Sequence, residues 1–435
     1  MDPGHYFGDA DHNDVEDPLI MSFELKNKKV TIIGAARSGI AVAKVVLRLG
    51  GIAKISESKS SQTIKGVSKH VIIEAGGHTK EFIEDSDYVV VSPGVRRDAE
   101  PVKWAKSKGI EVMGEVEFAF RLCPCQVVAV TGSNGKTTTA TVIAAIIKRA
   151  GRKVCLCGNI GSPLSKSVLS LKPTDTVVLE ISSFQLESTI RFRPHIAVWT
   201  NFSQNHLDRH KDLKEYFQAK MKIFANQNSK DFAVLNYLQP EHRKLAKRLV
   251  SKVLFFNKPD KKREVDNPNY LAAIEVAGVL GIKKDICLKV FAHFKGVEHR
   301  LEFVRRLGGI DFINDSKSTT VEASRWALER ADKPVIMICG GKDKNLDYPP
   351  LRPLVAQKVK HMIAIGQARD IMKKAFADVV TVDTFTSFEK AIKAARKVAR
   401  PGECVLLSPM CASFDMFDDY EHRGRCFKEI VRQLK

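Results

Sequence analysis

The residues whose types and spacing point most clearly to chemistry lie at positions 127–138. An apolar run at 127–130 leads into a loop with two glycines, a lysine and hydroxyl residues. Glycines let backbone amides close on phosphate oxygens, Lys136 can reach the β- and γ-phosphates, and the Thr137 hydroxyl can bind Mg²⁺. We therefore predict a strand, a nucleoside triphosphate loop and a helix at 140–150. The loop comprises Thr131, Gly132, Ser133, Asn134, Gly135, Lys136, Thr137 and Thr138.

The spacing within this loop departs from the usual pattern. Two residues separate Gly132 from Gly135, whereas the standard loop has four between its glycines. An ordinary strand–turn–helix with a surface lysine is the alternative interpretation. The order of strand, glycines, lysine and threonines favours the phosphate loop.

Polar residues follow two further predicted strands. Glu180 ends a strand at 176–180, and His206 follows a strand at 195–200 within a dense polar run. Ligands of open parallel sheets bind beyond the carboxyl ends of the strands. Glu180 and His206 could therefore hold a divalent cation beside the phosphates, although a lone histidine can also be a surface residue.

A glycine-containing turn at 34–39 lies between a predicted strand at 29–33 and a predicted helix at 40–49. It is nearly the dinucleotide fingerprint, with Ala36 at the middle glycine and Glu57 after the second strand. This pattern predicts a nucleotide or diphosphate on a helix N-terminus. It does not decide whether the ligand is NAD or a nucleotide sugar.

Strands that alternate with helices position these residues. This alternation predicts an α/β architecture with doubly wound parallel sheets. We expect an extension at 1–22, disordered or artificially added, and three α/β domains at 23–115, 116–295 and 296–435. Besides those already given, strands are predicted at 53–56, 88–92, 154–157, 232–235, 311–314, 335–339, 361–365 and 404–408.

Composition narrows the class of protein. The chain has 435 residues with a formal net charge of +20, yet its basic residues are spread out, so nucleic acid is not expected as a partner. No apolar run is long enough to insert in a membrane. Nine cysteines without a signal peptide favour the cytoplasm. The pairs Cys123/Cys125 and Cys155/Cys157 could suggest a metal site, but buried apolar thiols are the favoured interpretation.

With these motifs the chain resembles the Mur ligases, the ATP-dependent amide-forming enzymes of peptidoglycan assembly. The phosphate loop and the run Asn205-His206-Leu207-Asp208-Arg209-His210 carry the resemblance. Two segments, at 179–187 and 407–417 with Arg423-Gly424, are similar to the members that add D-glutamate. The likeness runs from about residue 29 to the C-terminus.

The resemblance implies a Rossmann-like N-terminal domain for a UDP-sugar, a central P-loop domain for ATP and a Rossmann-like C-terminal domain for the amino acid. It implies ATP-dependent addition of D-glutamate to UDP-N-acetylmuramoyl-L-alanine through an acyl phosphate, with Mg²⁺, in a cytoplasmic and monomeric enzyme. Such chemistry consists of positioning anionic partners and neutralising their charge.

The resemblance also implies roles for individual residues. Catalytic residues are Lys136, His206 and Lys220, the last used as a carbamate. Metal ligands are Thr137, Glu180, His206 and the Lys220 carbamate. ATP contacts are the loop residues 132–138 with Asn269, Arg300 and Asp315. UDP-sugar contacts are Gly34, Ala35, Ala36, Arg37, Glu57, Ser58, Ser92, Pro93, Gly94, Asn159, Ser182 and Gln185. D-glutamate contacts are Lys317, Thr319, Lys344, Ser413, Phe414 and Tyr420.

The chain departs from the family pattern in two places. Before the last central-domain helix, only Asn269 aligns with the family's paired asparagines, which puts adenine recognition in question. Thr320 stands where asparagine is usual. Two other hypotheses remain: a Rossmann-type oxidoreductase that uses residues 34–39 for NAD, and a nucleotide-binding module that has lost its chemistry.

Overall fold

The computed structural model describes residues 23–60, 64, 66–203, 209–260, 264–294, 296–343 and 346–435. These residues form three α/β units, each built on its own sheet. The extension expected at 1–22 lies outside the described residues. None of the helices within these ranges is both long and apolar enough to cross a membrane.

The first unit is a five-stranded parallel sheet in the order β3-β2-β1-β4-β5. Helix α1 buries Val42, Val45 and Val46 against this sheet because its apolar residues recur at helical spacing. Its strands are β1 (Lys29–Ile33), β2 (Ile52–Glu57), β3 (Ile72–Ala75), β4 (Tyr88–Val91) and β5 (Glu111–Gly114). Its helices are α1 (Arg37–Arg48), α2 (Lys80–Glu84), α3 (Glu100–Ser107) and α4 (Glu115–Phe120).

The second unit is a six-stranded parallel sheet in the order β11-β10-β9-β6-β8-β7. Apolar clusters cover both faces, as a parallel sheet requires. Its strands are β6 (Gln126–Thr131), β7 (Val154–Gly158), β8 (Thr176–Glu180), β9 (Ile196–Trp199), β10 (Phe232–Asn236) and β11 (Lys252–Phe256). Its helices are α5 (Lys136–Arg149), α6 (Ser183–Glu187), α7 (Leu213–Met221), α8 (Pro240–Ala246), α9 (Pro268–Val279) and α10 (Lys284–His293).

The third unit is a six-stranded sheet in the order β12-β13-β17-β14-β15-β16, parallel except for the β12–β13 pair. Its strands are β12 (Glu302–Leu307), β13 (Ile310–Asn314), β14 (Val335–Gly340), β15 (Val359–Ile365), β16 (Thr381–Phe385) and β17 (Cys404–Leu407). Its helices are α11 (Val321–Glu329), α12 (Arg352–Lys358), α13 (Arg369–Phe376), α14 (Phe388–Val398) and α15 (Tyr420–Gln433).

The predicted fold class is confirmed, but two predicted helix starts were wrong. Helix α1 begins at Arg37 rather than at residue 40, and α5 begins at Lys136 rather than at residue 140. Gly135 adopts the left-handed conformation and caps α5, so helical geometry starts immediately after it. The unpaired amides of the first turn of α5 therefore belong to the phosphate loop itself.

Candidate active site

The phosphate loop joins β6 to α5 at the carboxyl edge of the second sheet. Gly132 has a φ of 151° and Gly135 a φ of 80°. A Cβ on Gly132 would lie 1.9 Å from Thr200 Oγ1, and a Cβ on Gly135 would lie 2.4 Å from Asn269 Oδ1. Both positions need glycine for conformation and for space, as a backbone that wraps a phosphate requires.

Polar residues directly after β9 brace this loop. Thr200 Oγ1 donates to Asn134 O at 2.6 Å, and Asn201 Nδ2 donates to the same oxygen at 3.1 Å. Asn201 Oδ1 accepts from Asn134 N at 2.9 Å, and Ser133 Oγ donates to Ser203 O at 2.9 Å. Thr200 and Asn201 begin the polar run that the sequence places after a strand, but sequence reasoning assigned a role in that run only to His206.

Two buried lysine amines meet on one carbonyl of the loop. Lys136 Nζ donates to Gly132 O at 2.8 Å and to Ser133 O at 3.0 Å. Lys220 Nζ, from α7, donates to Gly132 O at 2.9 Å and to Thr131 Oγ1 at 3.4 Å. The structure thus brings together two residues that lie far apart in the sequence.

Burial controls the protonation of both amines. It lowers the pKa of Lys136, an effect that Glu180 opposes and Arg300 reinforces. Burial lowers the pKa of Lys220 well below its ordinary value; Lys136 lowers it further and Glu180 opposes the change. The Lys220 amine is therefore strongly biased towards its neutral, nucleophilic form.

Glu180 ends β8 beside these amines and is almost fully buried. Its Oε1 accepts from Asn159 Nδ2 at 2.8 Å, while its buried Oε2 has no partner among the described residues. A buried carboxylate oxygen without a protein partner is typical of a cation ligand. Thr137 is also buried, in the first turn of α5, so both oxygen donors fit Mg²⁺. The predicted ligand His206 lies outside the described residues.

A cavity of about 320 Å³ opens between the second and third units beside the phosphate loop. Asn269 lines it and accepts from Thr139 Oγ1 at 3.1 Å, which ties α9 to α5. Aromatic side chains from three elements supply flat apolar surface there. Sequence reasoning missed these aromatic residues, which are Tyr270, Phe294 and Trp326.

The predicted nucleotide contact Arg300 reaches the same cavity from a strained turn. Its neighbours His299 and Leu301 have φ values of 64° and 44°. Asp315 is fully buried and holds this turn, because its Oδ1 accepts from Leu301 N at 3.2 Å. Burial raises the pKa of Asp315 to about 6 although Arg300 opposes the rise. The ribose contact expected of Asp315 stays a prediction.

The predicted amino-acid residues of the third unit lie near the ends of β13 and β17. Lys317 Nζ donates to Tyr420 OH at 3.2 Å. Burial lowers the pKa of Lys317 to about 8, which Glu180 opposes and Arg300 and Lys136 reinforce. Ser413 is buried and Phe414 is exposed. Lys344 lies outside the described residues.

Two residues order the backbone around this pocket. Arg423 is fully buried and donates to Ser316 O at 2.9 Å and to Cys411 O at 3.3 Å, so it fixes two strand-end segments together. Thr320 caps α11, since its Oγ1 accepts from Ala323 N at 3.2 Å. Threonine and asparagine are both good N-cap residues, so Thr320 can cap α11 where the family usually has asparagine. Thr319 N donates to Lys317 O at 2.9 Å.

The predicted UDP-sugar residues of the first unit cluster at the ends of β1, β2 and β4. Glu57 Oε2 accepts from Ala35 N at 2.7 Å, and Ser92 Oγ donates to Gly34 O at 3.1 Å. Burial would raise the pKa of Glu57, but hydrogen bonds from Ala35, Lys59 and Ser58 lower it overall. Glu57 therefore closes the turn at 34–36, with Ala36 at the cap of α1.

Contacts from the second unit reach this cluster. Arg37 Nη1 donates to Gly161 O at 3.5 Å, and Arg209 donates to Gly94 O at 3.2 Å and to Val95 O at 3.0 Å. Arg209 thereby holds the turn that also contains Pro93. Ser182 and Gln185 form a capping box at the start of α6, in which each side chain accepts from the backbone amide of the other residue. Ser182 Oγ also donates to Gln185 Oε1 at 3.0 Å.

The interpretation of all four clustered cysteines as buried thiols was wrong for three of them. Cys157 is buried, whereas Cys123, Cys125 and Cys155 are only half-buried. Cys123 and Cys125 precede β6 and pack against the outside of the apolar core, so their sulfurs stay partly accessible. Among the described residues no cysteine belongs to a group with metal-ligand geometry.

The glycine at position 135 gives a first testable prediction. Gly135→Ala should raise the KM for ATP at least about tenfold, because its Cβ would displace Asn269 and the loop, and misplacement by about 1 Å can cost up to 100-fold. Gly151→Ala is the matched control, since its φ of 79° is nearly the same but a Cβ there meets nothing within 4 Å. Equal ATP KM values for the two variants would contradict this account of the loop.

Comparison with known proteins shows the family of this chain. Three family models match the chain: a MurD-like N-terminal domain of the Mur ligases at 28–114, the Mur ligase middle domain at 130–290 and the Mur ligase glutamate ligase domain at 299–411. The chain belongs to the Mur ligase family.

Relatives resemble the chain over nearly its whole length. The UDP-N-acetylmuramoylalanine–D-glutamate ligase of Pelotomaculum thermopropionicum is 39% identical, covering 95% of this chain and 99% of its own length. The enzyme of the same name from Koribacter versatilis is 38% identical, covering 94% and 98%. Among solved structures, the MurF ligase of Thermotoga maritima in complex with ADP has a TM-score of 0.61 at 17% identity, covering 95% of this chain and 100% of its own.

Proposed function

We propose that this chain is an ATP-dependent ligase that joins D-glutamate to UDP-N-acetylmuramoyl-L-alanine in peptidoglycan precursor synthesis. The observation that carries the proposal is the convergence of Lys136, Lys220 and Glu180 at the phosphate loop. The names of relatives that match nearly the whole chain support the choice of substrates. We also propose domain boundaries at 115/116 and 295/296 and a monomeric, cytoplasmic enzyme.

The reaction has two chemical steps. The terminal carboxylate of the acceptor attacks the γ-phosphorus of ATP, which yields an acyl phosphate and ADP. The amine of D-glutamate then attacks the acyl carbon, and the tetrahedral intermediate collapses to an amide and inorganic phosphate. Because every partner is anionic, the chief task of the protein is to supply positive charge and fixed geometry.

We assign charge neutralisation during phosphoryl transfer to Lys136 and to the amides at the start of α5. The braces from Thr200 and Asn201 fix the loop backbone, so little reorganisation accompanies the reaction. Arg300 approaches the loop from the third unit, and it lowers the pKa of Lys136 through space. Phosphoryl transfer would therefore need the second and third units together.

Thr137 and Glu180 would hold Mg²⁺, together with the proposed ligand His206. The fit rests on the unpartnered, buried Oε2 of Glu180. When bound, the cation would offset the negative charge of the phosphates. Asn159 fixes the other oxygen of Glu180 and so orients the carboxylate.

We propose that Lys220 carries a carbamate. A neutral amine can add to CO₂, and burial together with Lys136 disfavours the charged form of Lys220. Carbamylation would replace this neutral-biased amine with an anion, which would attract the Lys136 ammonium beside it. The same anion would add oxygen donors to the metal site.

We assign the UDP-sugar to the turn at 34–37, Glu57, Ser58 and the turn at 92–94, with Asn159, Ser182 and Gln185 contacting the acceptor from the second unit. We assign D-glutamate to Lys317, Thr319, Lys344, Ser413, Phe414 and Tyr420. The side-chain contact between Lys317 and Tyr420 supports a shared pocket. ATP would occupy the phosphate loop and the aromatic cavity, with Asn269 and Arg300 at its sides.

The two competing hypotheses explain less of the molecule. An NAD-dependent oxidoreductase would use Glu57 for a ribose, yet this carboxylate accepts from the backbone of Ala35 and Lys59. A nucleotide-binding module without chemistry leaves the buried pair of lysines and the unpartnered Glu180 oxygen without a role.

The aromatic cavity gives a prediction about the adenine. Trp326→Ala should raise the KM for ATP by roughly 5- to 150-fold, since stacking on a base contributes about 1–3 kcal/mol. Trp326→Phe keeps a ring and should show a smaller rise. Steady-state kinetics with ATP and with glutamate would check this, and an unchanged ATP KM in the alanine variant would exclude stacking on Trp326.

Lys317 gives a prediction about pH. With a pKa of about 8, its amine is cationic below that pH and neutral above it. The KM for glutamate should therefore rise as the pH increases through about 8, because the attraction to a carboxylate is lost. Lys317→Arg keeps its charge and should remove this rise. An identical pH profile in the parent and the arginine variant would show that Lys317 does not bind glutamate.

The proposed function is tested by phosphate release with a panel of amino acids. Release should require both UDP-N-acetylmuramoyl-L-alanine and D-glutamate, and L-glutamate, D-aspartate and D-glutamine should be poor substitutes. Activity with another amino acid would change the assigned specificity. Release without any amino acid, or no release at all, would overturn the ligase assignment.

A further inference from the structure

Two thiols lie in contact in the short segment between α4 and β6. The Sγ atoms of Cys123 and Cys125 are 3.7 Å apart, and the Cys123 thiol donates to Cys125 O at 3.6 Å. A disulfide needs a sulfur separation of about 2 Å, so the two sulfurs would have to approach further for a bond to form. Both thiols are half-buried and Pro124 between them is exposed, so small oxidants can reach the pair.

The pair occupies the junction between the first and second units. Cys123 packs against the apolar cores of both units, while Cys125 packs against the core of the second. Strand β6 starts at the next residue, Gln126, and leads directly into the phosphate loop. Oxidation of these sulfurs would therefore take place directly before the strand that leads into the proposed ATP site.

We propose that Cys123 and Cys125 form a peroxide-sensitive dithiol that closes reversibly to a disulfide. The Cys123 thiolate attacks a peroxide oxygen, the O–O bond breaks, and the sulfur becomes a sulfenic acid with release of water or an alcohol. The Cys125 sulfur then attacks that sulfur and releases water. Two thiols are oxidised, one peroxide is reduced, and a thiol reductant restores the pair.

The environment favours Cys123 as the attacking sulfur. The hydrogen bond from the Cys125 thiol lowers the pKa of Cys123, while burial opposes this effect. The same contact raises the pKa of Cys125, which keeps it protonated as the donor. A hydrogen bond with Cys157 likewise lowers the pKa of Cys155, to about 6, so access of the oxidant to both sulfurs is what distinguishes Cys123 and Cys125 from that pair.

Cys155 and Cys157 provide a matched pair with the same spacing. They lie in the extended strand β7, and Cys157 is fully buried, so peroxide has poor access to one of the two sulfurs. Cys155 packs against the same core as Cys123 and Cys125 and is the natural competitor for a bond to either.

Trypsin separates the two pairs, which makes the test direct. Cleavage after Arg121 and Lys136 releases a peptide with Cys123 and Cys125 alone, and cleavage after Lys153 and Lys166 releases one with Cys155 and Cys157 alone. The purified protein would be treated with hydrogen peroxide, alkylated with iodoacetamide and digested without reductant. Mass spectrometry then reads the state of each pair.

We expect a 122–136 peptide that carries no alkyl group and is two hydrogen atoms lighter than the reduced peptide. The protein should also lose two titratable thiols, and dithiothreitol should restore them. Cys125→Ser should retain ligase activity but abolish this species and leave Cys123 as a sulfenic acid, whereas Cys157→Ser should leave it intact. A fully alkylated 122–136 peptide, a link to the 154–166 peptide, or irreversible sulfinic acid at Cys123 in the parent protein would each overturn the proposal.

Discussion

Replacing Lys136 with alanine should lower kcat by about 100- to 1,000-fold while the protein stays folded. Lys136 is half-buried, and its amine donates to the loop carbonyls of Gly132 and Ser133, where we expect phosphate charge to be neutralised. Loss of one preorganised electrostatic donor of this kind costs about 3–4 kcal/mol of transition-state stabilisation. Phosphate release at saturating ATP and Mg²⁺ measures the effect, and the melting temperature checks the fold.

Lys148→Ala is the matched control for this experiment. Lys148 is an exposed lysine on the same helix, in its last turn, and its removal should leave kcat unchanged. If Lys136→Ala keeps the kcat of the parent enzyme, the segment at 131–138 is an ordinary turn before a helix and the assigned phosphate site is wrong.

Replacing Lys220 with alanine should also cause a large loss, and added acetate or formate should restore part of it. A carbamate on Lys220 would place an anion beside Lys136 and the metal ligands, and the loss of a group that supports a metal site costs about 10- to 100-fold. The alanine variant leaves a buried space next to Thr131 into which a small carboxylate can enter. Activity should therefore rise with acetate concentration and saturate.

Lys214→Ala, an exposed position on the same helix α7, should neither lose activity nor respond to acetate. Lys220→Arg keeps a positive charge but forms no carbamate, and it should be as inactive as the alanine variant without rescue. A fully active arginine variant would show that Lys220 acts as a cation rather than as a carbamate.

The sequence predicts the centres of the sheets better than their edges. Strands β1, β6, β8, β9 and β14 are buried on both faces, so they appear as continuous apolar runs. The strands that were not predicted, β3, β5, β11, β12 and β16, all lie at sheet edges or ends. In β3 the side chains of Ile72 and Ile73 are exposed, because an edge strand has a neighbour on one side only.

The site shows the same limit in another form. The phosphate loop can be predicted from the sequence because a single contiguous segment of backbone forms it. The braces from Thr200 and Asn201 and the aromatic cavity around Trp326 depend on which strand ends and helices become neighbours, which follows from strand order. The full burial of Asp315 likewise depends on β17 lying beside β13.

Activation of the acceptor carboxylate as an acyl phosphate would move one carboxylate oxygen onto phosphate, and an isotope label can follow that oxygen. UDP-N-acetylmuramoyl-L-alanine labelled with ¹⁸O in its terminal carboxylate would be turned over with ATP and D-glutamate, and the phosphate would be analysed by mass spectrometry. In the proposed mechanism the carboxylate oxygen that attacks phosphorus leaves with it, so each phosphate should carry one labelled oxygen. The amide product keeps the other labelled oxygen in either case, so phosphate free of label, with the second labelled oxygen lost to water, would exclude an acyl phosphate.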